Sequence, residues 1–161
     1  MVIMNKQTYV IDACTLINFY CRLEREDCLH KLFRDGLRVT GKVKDEVSFH
    51  ASGPGKERML ADFGRGFLKV EFTGGEDIHG ERLLGESAET LDPGELKSAT
   101  LALSRGYIFL TDDRRAQGDL LGTGVHCRDS RWILKEAAKR GFIKKAEHKR
   151  LLEQLKRQSW E

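Results

Sequence analysis

Residues 91–117, LDPGELKSATLALSRGYIFLTDDRRAQ, restrict the fold of this chain more than any other stretch. Asp92 suits a helix cap, Pro93 the first helical position, and Glu95 stands three residues after the cap. Leu96, Ala99, Leu101, Ala102 and Leu103 give that helix a buried face, Gly106 ends it, and residues 107–111 read as a buried strand. Asp112 and Asp113 fall where the strand stops. In an α/β sheet the carboxyl ends of parallel strands form the ligand-binding rim. Two adjacent carboxylates at such a rim require a cation or a proton.

The remaining chain repeats the alternation of strand and helix. Residues 8–11 form a short apolar strand closed by Asp12, and Leu16, Ile17, Phe19, Tyr20 and Leu23 pattern the helix after it. A helix over 27–34 stops at Gly36, a strand covers 37–40, and a helix over 42–49 carries Glu46. Residues 51–56, with Gly53-Pro54-Gly55, read as a loop before a helix through Met59, Leu60 and Phe63. A strand over 67–72 and a helix over 78–84 lead to the opening stretch. After it come a short helix over 114–121, a strand over 125–127, and basic amphipathic helices over 132–139 and 145–157. This order predicts an α/β fold: a three-layer domain over 1–161, a central parallel sheet flanked by helices, with 142–161 a helical extension. Right-handed crossovers collect the strand ends along one edge, so Asp12 and Asp112-Asp113 are expected at the same rim.

Composition narrows the class. Hydrophobic residues make up 40% and charged residues 33%, as in a soluble globular domain. No apolar run approaches the roughly 20 residues of a membrane helix, and the first six residues lead into a strand without a signal-peptide pattern. A cytoplasmic protein is expected. Cys14, Cys21, Cys28 and Cys127 form no C-x-x-C pair; three recur every seventh position, which predicts buried free thiols on one helical face. A formal charge of +3 leaves a polyanionic partner open.

Each carboxylate has a local explanation: Asp12 and Asp113 as helix caps, Glu95 as the partner of Asp92 in a capping box, Glu46 as a solvated helix residue. Together they are harder to dismiss. Four carboxylates within about 6 Å repel by roughly 3 kcal/mol per pair at an effective dielectric near 20, or about 17 kcal/mol for six pairs. A whole domain is stable by only about 5–15 kcal/mol. Either such a cluster does not form, or protons or a divalent cation neutralise it, and an all-oxygen donor set favours Mg2+ or Mn2+. A rim-held ion with open positions suits hydrolysis of a phosphodiester.

The motifs VIDACTLIN, VKDEV, DPGELKSATLALSRG and IFLTDDRRA, in that order, resemble the PIN-domain nucleases, and among them the small prokaryotic toxins of VapBC-type toxin–antitoxin pairs. GVHCRDSRWILKEAAKRGFI resembles the tail of a subgroup of the family. The resemblance implies a metal-dependent endoribonuclease, with Asp12, Glu46, Glu95 and Asp113 at the acidic positions and Asp112 as an extra ligand. Asp12, Glu95 and Asp113 would hold Mg2+ or Mn2+, with Glu46 or Asp112 positioning the ion or its water. Thr15 and Thr111 would supply hydroxyl contacts, and Arg114, Arg115, Arg128 and Arg131 would hold the RNA backbone. Cys14 departs from the Ser or Asn that many members carry there. An antitoxin protein and a homodimer are the implied protein partners, with no membrane.

Two other readings bear on the same residues. IDACTL partly resembles the opening of haloacid-dehalogenase-type phosphatases, but Cys14 stands where their second Asp belongs and no matching late Lys motif follows. A non-catalytic module that keeps the fold and binds RNA or protein is the other. Trp132 reads as core, Trp160 as part of a fraying terminus, and the last basic helix as a solvated cover.

Overall fold

The computed structural model describes residues 6–158; residues 1–5 and Trp160 lie outside them. Strand β1 (Tyr9–Ile11) runs into helix α1 (Ala13–Ile17), which widens into a π-helical turn (Asn18–Arg22) before α2 (Glu26–Leu32). Strand β2 (Leu37–Thr40), helices α3 (Gly41–His50) and α4 (Gly53–Gly64), and strand β3 (Leu68–Glu71) follow. A short 3-10 turn leads into α5 (Ile78–Ser87) and then α6 (Pro93–Arg105), β4 (Ile108–Leu110) and α7 (Arg114–Leu120). Strand β5 (Cys127–Arg128) and helices α8 (Ser130–Lys139) and α9 (Lys145–Gln158) complete the order.

All five strands are parallel, in the order β3-β2-β1-β4-β5. Adjacent strand residues face opposite sides, so a sheet covered on both faces needs unbroken apolar runs. Ile11 and Leu110 belong to one buried cluster with Phe19, Tyr20, Leu29 and Ile133. Val10 and Phe109 belong to the other, with Leu84, Leu101 and Leu120. From β1 the chain builds outward to β2 and β3, then returns to lay β4 against the other side of β1. The crevice between β1 and β4 is therefore the switch point where such sheets bind ligands.

Three expectations are corrected. Gly53-Pro54-Gly55 is the first turn of α4, with proline in a helix-compatible position, not a loop. The cysteines do not share a buried face: Cys28 is buried, Cys21 and Cys127 are half-buried, and Cys14 is exposed. The wider π turn between Cys14 and Cys28 shifts the helical phase that sevenfold spacing assumes. The last helix is more than a solvated cover, since Leu151 is fully buried in the first cluster and Gln154 donates to Arg22 O at 3.0 Å. Among the described residues no helix is long and apolar enough to cross a membrane.

Candidate active site

Asp12 leaves the end of β1 with its backbone N–H bonded to Leu110 O at 3.0 Å, locking it beside the end of β4. It caps α1, accepting from Thr15 N at 2.9 Å, and its other oxygen accepts a short hydrogen bond from Thr111 Oγ1. Thr111 Oγ1 in turn accepts from Asp113 N at 3.2 Å, so one hydroxyl ties the first acidic residue to the last. Asp12 is 4% exposed, and burial raises its pKa to about 7 against the Thr111 hydroxyl and the Thr15 backbone and side chain, which favour the charge.

Glu95 and Asp113 arrive from different elements and meet. Asp92 and Glu95 form the capping box expected of α6: Glu95 N donates to Asp92 at 2.8 Å and Asp92 N to Glu95 Oε1 at 3.0 Å. Asp113 caps α7, accepting from Arg115 N at 2.9 Å and Ala116 N at 3.1 Å. Burial first, then a hydrogen bond to Asp113, raise the Glu95 pKa to about 8. Burial pushes Asp113 the same way, but the hydrogen bond from Glu95 and the two backbone N–H groups win, and its pKa falls. The hydrogen bond between them favours the proton on Glu95 and the charge on Asp113.

Glu46, on α3, lies against the first turn of α6, so close to Gly94 that a Cβ there would collide with its carboxylate. Burial, then Asp92, raise its pKa. In the sequence Gly94 reads only as part of a helix start, and this contact is invisible there. Alanine normally stabilises a helix by about 1 kcal/mol over glycine. Gly94→Ala should therefore keep or raise the melting temperature, because the atoms a Cβ meets are the free end of the Glu46 side chain, which swings off the first turn of α6 at little cost. A melting temperature lowered by several degrees in Gly94→Ala would mean that Glu46 is held rigidly against α6.

Asp112 serves differently from its neighbour. Its oxygens accept from Ser130 N at 2.7 Å, Asn18 Nδ2 at 2.6 Å and Ser130 Oγ. It ties the π turn to the start of α8, and these donors compete with the role of an extra metal ligand. Asn18 and Ser130 were not singled out in the sequence; the signal was a polar residue inside the apolar run LINFY. Arg114 and Arg131 line a cleft of about 500 Å3 beside Asp112. Arg115 and Arg128 do not line it; Arg128 lies over the Trp132 ring at 5.9 Å.

The donors at this rim are carboxylate and hydroxyl oxygens, the hard ligands that suit Mg2+ or Mn2+. Thr15 Oγ1 is buried without a well-formed hydrogen bond, near enough to Asp12 to favour its charge. Two carboxyls sharing a proton also mark a place where positive charge is favoured. The donor chemistry therefore fits the ion, although no three His, Cys, Asp or Glu side chains among the described residues stand grouped as a ligand cage. Among the described residues the acids are spread along the rim, each with its own local donor, so the close cluster weighed from the sequence does not form.

The five-stranded parallel sheet flanked by helices matches a PIN-like α/β fold, and a family model described as PIN domain matches residues 8–160. The chain belongs to the PIN-domain family, whose members are generally nucleases. Among solved structures it is similar to VapBC2 from Rickettsia felis bound to a DNA fragment from its promoter, at 10% identity and a TM-score of 0.60, over 76% of this chain and 98% of that one. PAE2754 from Pyrobaculum aerophilum is similar at 16% identity and a TM-score of 0.57, over 82% of this chain and 90% of that one. No curated protein sequence matches this chain.

Proposed function

We propose that this protein is a metal-dependent endoribonuclease that hydrolyses RNA phosphodiester bonds with Mg2+ or Mn2+, acting as the toxin of a toxin–antitoxin pair. The observation that carries the reading is the Thr111 hydroxyl that joins the buried Asp12 at the end of β1 to Asp113 after β4, at the crevice between the two strands. Asp12, Glu95 and Asp113 would hold the ion, with Glu46 at the adjoining turn of α6. A bound divalent ion supplies an electrophile for a phosphate oxygen and lowers the pKa of a water. Glu95 would hold the ion as a carboxylate, without its proton. Thr111 Oγ1 keeps Asp12 aimed at the rim, Thr15 offers a second hydroxyl, and Asp112 fixes the start of α8 against the π turn. Arg114, Arg115, Arg128 and Arg131 hold the RNA backbone by charge. The Rickettsia felis neighbour, a VapBC2 complex on promoter DNA, supports an antitoxin as protein partner. A homodimer is the other partner in this reading, and the cytoplasm its place of action.

The test is cleavage of an end-labelled panel of structured RNAs with Mn2+, Mg2+ or a chelator. Cleavage is expected with either metal and none with the chelator. Cleavage that persists in the chelator ends the metal-dependent reading. RNA bound but left intact under every condition, without metal uptake by the carboxylates, points instead to a binding module.

A further inference from the structure

The end of the sheet opposite the acids is strongly basic. Tyr9 opens β1, Gly36 and Phe67 stand just before β2 and β3, and about 10 Å of strand separates Tyr9 from Asp12. Two adjoining hollows of about 650 Å3 and 610 Å3 lie there, and Arg34, Asp35 and Gly36 line both. Together they are lined by six lysine and arginine side chains and, among the described residues, by Asp35 as the single acid. The whole chain carries a formal charge of only +3, so this edge is where its positive charge collects. Helices α2, α4 and α8 end here, and their last carbonyls favour nearby cations. That accounts for the charge but not for the aromatic walls between the cations. Tyr9, Phe33 and Phe142 line the first hollow, and Tyr9 meets Phe33 edge to face at 4.8 Å.

The cations are lightly held. Lys6 pairs with Asp35 at 3.2 Å with both side chains exposed, Arg140 reaches Glu136 at 3.7 Å, and Lys31 reaches Asp27 at 3.9 Å. Arg34 has no ion pair or hydrogen bond among the described residues. Exposed pairs of this kind contribute little, so an arriving anion can replace them. In the second hollow the buried Asp62 fixes Arg65, and Lys69 donates to Asp35 O at 3.2 Å. A flat ring suits the aromatic walls, and phosphates suit the cations that lead through Arg34 from one hollow to the next. Each hollow is within the usual range for small-ligand pockets, about 300–1,000 Å3. We propose that this end of the sheet binds a free nucleoside diphosphate, with its base against Tyr9 and Phe142 and its phosphates on Arg34, toward Lys69 and Arg65. The site is separate from the acidic rim, and its ligand is not the substrate of the nuclease reading.

Anisotropy of N-methylanthraniloyl-ADP, titrated with the full chain in excess chelator, tests the site. Saturable binding that ADP displaces is expected. Adenosine and inorganic pyrophosphate should each compete about ten-fold less well, because stacking and charge are then separated. Arg34→Glu and Arg140→Glu, both exposed and outside the core, should each weaken binding about ten-fold. Asp12→Asn, at the opposite end of β1, should leave it unchanged. Pyrophosphate competing as well as ADP would reduce the hollows to a patch of charge and overturn the proposal. Absence of saturable binding, unchanged affinity in both arginine variants with native circular dichroism, or loss of binding in Asp12→Asn overturns it equally. So does a single-stranded oligouridylate that displaces the probe at lower concentration than ADP, because the surface then belongs to an RNA chain.

Discussion

Asp12→Asn should lower metal-dependent RNA cleavage by about 10²- to 10³-fold, the range that follows loss of one well-placed group stabilising transition-state charge. The same variant should lose none of its stability at pH 8. The substituted amide can still accept from Thr15 N through its oxygen, and Thr111 Oγ1 can reverse its role and accept from the amide nitrogen. The cap of α1 and the tie to β4 therefore persist. What disappears is a carboxylate 4% exposed whose pKa burial has raised to about 7. That rise corresponds to a charging penalty on the order of 4 kcal/mol, which the variant no longer meets at pH 8. Paired measurements of cleavage rate and melting temperature check the point. Activity within a few-fold of wild type would take Asp12 out of the chemistry, and a large drop in melting temperature would make it a structural cap.

The parts of this arrangement legible in the sequence are those set by local rules. The capping box at Asp92 and Glu95, the apolar runs of β1 and β4, and the acids that close them follow from spacing and from caps, and the parallel alternation brings both ends to one edge. The rest depends on distant contacts. Gly94 meets the Glu46 carboxylate because α3 sets that side chain against α6, and no window around residue 94 contains residue 46. Asp112 and Asp113 look equivalent as neighbours, yet successive positions at a strand end face different ways. One is taken by Asn18 and Ser130, and the other by Glu95. Gly53-Pro54-Gly55 carries loop residues, but proline is also compatible with a first helical turn, and the tertiary setting decides in favour of α4. The extra residue per turn in Asn18–Arg22 likewise has no sequence signature, and it displaced the cysteines from their expected face.

The acids also give the metal-free protein an unusual stability profile. Asp12 and Glu95 have folded pKa values of about 7 and about 8, above the ordinary 3.8 and 4.5, and Glu46 is raised as well. A carboxyl whose folded pKa is raised contributes stability that is complete below its unfolded pKa and is lost as pH climbs through the folded value. In chelator the melting temperature should therefore fall between about pH 5 and pH 8, where many proteins are at their most stable. Asp27, Asp62, Asp77 and Asp113 are lowered and act oppositely, but their contribution is lost only as pH falls below the ordinary carboxylate range, outside this window. In the proposed reading Mn2+ would bind the deprotonated set, so it should raise the melting temperature strongly at pH 8 and little at pH 5. Saturation at a hundred times the dissociation constant gives about 2.7 kcal/mol. Asp12→Asn should flatten the chelator profile and shrink the Mn2+ shift together, because one group underlies both. A profile flat from pH 5 to pH 8, or a Mn2+ shift equal at the two ends, would mean that these carboxyls are charged and satisfied without any ion, and the metal would have no proton to replace.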